Sequence, residues 1–131
     1  MRIETFVGVA QTAFRFGIVG ALASAVHLAV ASAAIAAGVQ IVFANSIGFC
    51  VALGVSLLGH HTISFPKRTA FWRGARRFIP VAIIGFIANN AVLATLVAAT
   101  GNSLAWLKVA MAILVILPVT FGYAYFFAYK D

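Results

Sequence analysis

Few residues of this chain can do chemistry, and most of them lie where polarity is costly. His27, Asn45, Asn89 and Asn90 interrupt long uncharged stretches, and His60 and His61 stand just ahead of a basic stretch holding Lys67, Arg68, Arg73, Arg76 and Arg77. An imidazole or amide surrounded by hydrocarbon must find its partner on another helix. Each such residue therefore either ties helices together or lines a polar route. Asn90 reads as a tie. His27, Asn45 and Asn89 read as lining a route, with Gly85 one turn before Asn89 on the same face. Arginine offers a permanent charge and a forked donor suited to phosphate, and histidine adds a donor whose charge depends on pH. Arg76 and Arg77, helped by His60 or His61, are thus the expected contact for an anion at the membrane surface. Arg73 and Lys67 read as setting topology and touching anionic lipid.

Other chemistries lack their residues. The only acids are Glu4 and Asp131, so the apolar stretches hold no carboxylate pair and no acid–histidine arrangement. Proton-coupled exchange of cations through an embedded carboxylate is disfavoured. There is no Ser-His-Asp set, phosphate loop or CxxC; Ser24 and His27 share a helix face but lack a third group and an oxyanion hole. His60 and His61 point about 100° apart on a regular helix, and Cys50 lies roughly 15 Å along the axis from them. No metal site is expected, since zinc needs three or four converging ligands. Cys50 is the single cysteine and reads as a small apolar filler. Neither a cofactor nor enzymatic activity is expected.

The elements that position these residues follow from composition. The 131 residues are 64% hydrophobic and 8% charged, with a mean hydropathy of +1.10. A soluble domain runs about 45–50% apolar and roughly 25% charged, and a chain this short has no core able to hide the excess. An ordinary soluble enzyme, a disordered tail and a disulfide-stapled module are excluded. So is a typical nucleic-acid binder, despite the +7 net charge.

No charged residue falls between Arg15 and Lys67, between Arg77 and Lys108, or between Lys108 and Lys130. A membrane helix needs about 20 mainly apolar residues. The first gap holds two spans, divided at Gly38-Val39-Gln40, and the other gaps hold one each. The expected fold is all-α, one membrane domain over residues 1–131, with spans near 16–38, 41–64, 78–99 and 106–127. A membrane β-barrel would need alternating polarity, which runs such as Ile113-Leu114-Val115-Ile116-Leu117 do not show. A cleaved signal peptide ending near Ala31-Ser32-Ala33 is the weaker reading, because its charged region would be unusually long.

Lysine and arginine crowd the N-terminus, the middle loop and the C-terminus, so these belong on the cytoplasmic side and both termini are expected there. Residues 1–14 carry Ile3, Phe6, Val7, Ala10 and Phe14 at helical spacing and read as a short interfacial helix or a frayed end. Pro66 ends the second span and Pro118 kinks the fourth. Tyr123, Tyr125 and Tyr129 form an interfacial belt. The halves repeat weakly. Arg15-Phe16 opens one hairpin and Arg77-Phe78 the other, a register that sets His27 opposite Asn89.

These features resemble the GtrA-like family of small four-span membrane proteins, over about residues 12–130. Arg15-Phe16-Gly17-Ile18-Val19-Gly20 resembles its opening R-F-x-x-V-G, and Ala44-Asn45 resembles the start of its second span. Ser56-Leu57-Leu58-Gly59-His60-His61-Thr62-Ile63-Ser64-Phe65 occupies the place of its N-F-x-x-N-R-x-x-x-F ending. Arg77-Phe78 and the segment from Thr120-Phe121 to Tyr129 repeat these signals in the second half. His27 stands where the family often has aspartate, and His60-His61 where it has Asn-Arg. The resemblance implies a bacterial inner-membrane flippase. It would move a polyprenyl-phosphate-linked sugar from the cytoplasmic to the outer leaflet for polysaccharide synthesis, beside a membrane glycosyltransferase. A scaffold that recruits such a transferase and a small-solute exporter are the competing functions. Because four short helices make a thin bundle, a homodimer is expected, with Gly17/Gly20/Ser24 and Gly48/Ala52/Ser56 as close-packing faces.

Overall fold

The computed structural model describes residues 3–66, 70–123 and 126–127, and the side chains of these except at Ile3 and Glu4. Four helices follow in order: α1 (Ile3–Ala36), α2 (Ile41–Gly59), α3 (Phe71–Thr100) and α4 (Ala105–Tyr123). α2 runs without a break into a π-helical turn, His60–Ser64. Each helix is long and apolar enough to cross a bilayer. Most of their surface faces outward, including Phe14, Ile84, Leu114 and Val119. Apolar exposure on this scale requires lipid around the bundle.

Two expectations about boundaries are corrected. Residues 3–14 form no separate interfacial helix; they continue α1, which is 34 residues or about 51 Å long. No proline or turn sequence interrupts this stretch, and an isolated glycine such as Gly8 costs a helix only ~1 kcal/mol. The third helix starts at Phe71, ahead of the expected span at residue 78, so Arg73, Arg76 and Arg77 sit on its first two turns rather than in a loop. Pro80 lies inside α3; it takes the helical donor away from the Arg76 carbonyl without ending the helix.

The turns have local causes. Gly38 takes φ +91°, and the bonds Gly38 N–H to Ile35 O and Val39 N–H to Ala34 O close the end of α1 as a Schellman motif. The Gln40 side chain then accepts from Phe43 N–H at the start of α2. Gly101, at φ +75°, ends α3. Lys108, expected beside this turn, is buried, and its Nζ donates to the Gly101 carbonyl. That places a cation on the negative end of the α3 dipole.

Neighbouring helices touch in the ring α1–α2–α3–α4–α1, and the diagonal pairs barely approach. The α1–α2 contact is the most extensive. Glycine permits it: a Cβ on Gly48 would stand 2.6 Å from the His27 carbonyl oxygen, and one on Gly59 would stand 2.6 Å from Val19 Cγ1. Apolar clusters close both ends of the bundle. Phe16, Phe65, Phe78 and Ala82 pack at the end near the basic residues. Ala31, Ile41, Leu93, Val109 and Ala112 pack at the far end.

Candidate functional site

Between the apolar clusters lies a cavity of about 110 Å³ to which all four helices contribute. That is room for several water molecules. Its polar lining is Ser24, His27, Ser56, His60, Asn89 and Thr120; no charged side chain borders it among the described residues.

At the far pole Asn45, fully buried on the second turn of α2, gathers three residues from two other helices. His27 Nε2 lies 2.8 Å from Asn45 Oδ1. Asn45 Nδ2 donates to Asn89 Oδ1 and to Asn90 Oδ1, each at 2.8 Å. The directions are forced from the rim inward. Ser46 Oγ gives its hydrogen to Val42 O and so can only accept from Asn90 Nδ2. Asn90 must then turn its Oδ1 to Asn45, and Asn45 must present Nδ2 there and Oδ1 to His27. An amide oxygen only accepts, so His27 carries its proton on Nε2.

At the pole near the basic residues the site is aromatic. His60 keeps the α2 register, its N–H on Ser56 O, and points into the bundle while His61 faces its flank; the π turn that follows is closed by Phe65 N–H on His60 O at 2.8 Å. His60 is 2% exposed. It stacks on Phe16 with ring centroids 4.1 Å apart and meets Phe78 edge-on at 5.7 Å. Its Nδ1 lies 2.9 Å from Ser64 Oγ. His61 packs its ring against the Phe71 ring at 5.3 Å, and its buried Nδ1 has no hydrogen-bond partner among the described residues. π turns of this kind recur at functional sites.

The structure therefore brings His27, Asn45 and Asn89 together and sets His60 about 16 Å farther along the same cavity, eleven helical residues from Phe16 to His27. Arg76 and Arg77 are exposed on α3, and Arg76 Nε turns back to the Trp72 carbonyl at 3.4 Å. Lys67 and Arg68 of the basic stretch, Arg2 and Lys130 among the topology-setting charges, and Tyr125 and Tyr129 of the aromatic belt lie outside the described residues. The pairing register of the two halves has a spatial counterpart. Phe16 and Phe78 both contact His60, while His27 and Asn89 both join Asn45.

Sequence reasoning missed Phe16 and Ser64 as partners of His60. The four-residue spacing of His60 and Ser64 was a usable signal. The packing of Phe16 on His60 was not, because it joins separate helices.

The family described as GtrA/DPMS, transmembrane domain, matches residues 15–129. The chain belongs to this family. The GtrA/DPMS match begins at Arg15, within α1, and runs through the rest of that helix and the other three, which makes the protein a multi-pass membrane protein of this family. No curated protein and no solved structure gives a match to it.

Proposed function

We propose that the protein carries a polyprenyl-phosphate-linked monosaccharide across the cytoplasmic membrane for cell-surface glycan synthesis. The observation behind this reading is the interhelical cavity, hydrogen-bonding at its far pole, aromatic at the other and with no charged side chain in its lining among the described residues, whose aromatic pole adjoins the basic turns of α3. A translocated glycolipid has three unlike parts. Its phosphate suits the arginines, its sugar suits a neutral hydrogen-bonding cavity, and its prenyl chain stays in lipid. Family membership supports the same assignment.

In this reading the basic end faces the cytoplasm with both termini, and Arg76 and Arg77 receive the phosphate. His61, on the flank of the bundle and less buried than His60, is the better placed helper, since His60 spends Nδ1 on Ser64. Two copies form the working unit. The Gly48/Ala52 face is already occupied by α1, whereas Gly17 is exposed with nothing near it and is open to a second copy. A membrane glycosyltransferase takes up the delivered sugar, and anionic lipid surrounds the basic end.

The test is transbilayer movement of a polyprenyl-phosphate sugar in liposomes containing only this protein. Movement above protein-free liposomes is expected. Its absence, with binding to a glycosyltransferase retained, would replace transport with a recruiting scaffold.

A further inference from the structure

The far pole of the cavity has a defined donor and acceptor pattern. With His27 Nε2 committed to Asn45, the other ring nitrogen, Nδ1, is an acceptor. The Cδ2 edge of the ring lies against Gly48, where an added Cβ would come within 2.7 Å. Nδ1 is on the opposite edge and faces away from α2. With Asn89 Oδ1 committed to Asn45, Asn89 keeps Nδ2, a donor. Neither Nδ1 nor this Nδ2 has a partner among the described residues. Neither is sealed inside protein, for His61 Nδ1 alone is both sealed and unpaired among them. His27 and Asn89 are each 5% exposed and line the cavity. One acceptor and one donor, on side chains held by the same amide, thus open onto a space without charged walls.

We propose that this pole reads two neighbouring hydroxyls of an uncharged sugar ring, and that Asn45 is the positioning residue that sets the pattern. One hydroxyl donates to His27 Nδ1, and its neighbour accepts from Asn89 Nδ2. A ring lacking either hydroxyl leaves a nearly buried polar atom unpaired, which costs roughly tenfold or more in affinity. A ring bearing an ammonium group brings a charge into a cavity with no carboxylate in its lining among the described residues, and is rejected. This deepens the proposed function by naming the class of headgroup, and it rests on that reading for the lipid carrier.

The experiment measures binding, by titration calorimetry in nanodiscs, and transport, in liposomes, for a panel of farnesyl-phosphate pentoses and hexoses. Monodeoxy and amino analogues of the tightest binder follow. Two adjacent deoxy positions should each weaken binding about tenfold, the remaining positions should have little effect, and the amino analogue should bind at least tenfold more weakly than its parent sugar. Asn89→Asp keeps the oxygen that Asn45 needs and adds a negative charge, so it should restore the amino analogue and weaken the neutral sugar. Equal binding of all analogues, or sensitivity confined to isolated positions, overturns the proposal while leaving transport intact. Selective binding without transport upholds it and overturns the transport reading. Failure to bind any member of the panel overturns it outright.

Discussion

The two poles of the cavity are held by different physics. At the far pole Asn45 joins His27, Asn89 and Asn90 through three hydrogen bonds of 2.8 Å. In hydrocarbon, each such group has no water to fall back on. At the basic pole His60 is held by ring stacking on Phe16, an edge contact with Phe78 and a side-chain hydrogen bond to Ser64 on its own π turn. The network is directional: loss of one member strands several others. The stack is set by shape, and another flat ring fills it. The far pole is suited to discrimination, and the basic pole to a fitted apolar closure.

The contrast breaks most severely at Asn45. Asn45→Leu leaves the His27 N–H and two amide oxygens unpaired. It should cost about 3 kcal/mol, read as a lower midpoint of SDS-induced unfolding in mixed micelles. Gly48→Ala comes next. Its methyl meets the His27 backbone carbonyl, which cannot swing aside, and the forced separation of α1 from α2 should cost about 2 kcal/mol in the same assay. If Gly48→Ala unfolds like the parent, the close approach at His27 is wrong.

The basic pole should respond more mildly. His60→Phe keeps a flat ring on Phe16 and loses the polar contact to Ser64, so a loss of about 1 kcal/mol is expected. His60→Ala should cost about 2–3 kcal/mol by leaving a void. Equal losses for the two variants would mean that polarity, not shape, holds this pole. The smallest effect on stability belongs to Arg76→Lys/Arg77→Lys, which should unfold within about 0.5 kcal/mol of the parent, as surface substitutions do. It should nevertheless slow transport, because lysine keeps the charge and loses the fork. Transport equal to the parent would reduce these arginines to membrane anchors.

Much of the architecture is legible in the sequence alone. The uncharged gaps between Arg15, Lys67, Arg77, Lys108 and Lys130 gave four helices, and Pro66 and Gly38 marked real ends. The start of α3 is not legible in this way, because the edge of the uncharged stretch is not the edge of the helix. Helix propensity does not stop at an arginine, and Phe71 to Arg77 continue the same backbone. The joined course of α1 was hidden for the same reason.

Hydropathy and charge accumulate along the chain, so the residues alone establish the bilayer, the number of spans and the basic end. The list of polar residues worth watching follows from them as well, since polarity is rare and costly in such a composition. Hydrogen-bond partners are a property of helices brought side by side. Only the packed bundle makes Asn45 the hub of the far pole and gives His27 its proton on Nε2. It alone decides that His60 is the buried one of the two neighbouring histidines and His61 the flanking one, because a helix only spaces them about 100° apart and the packed helices fix which face turns inward.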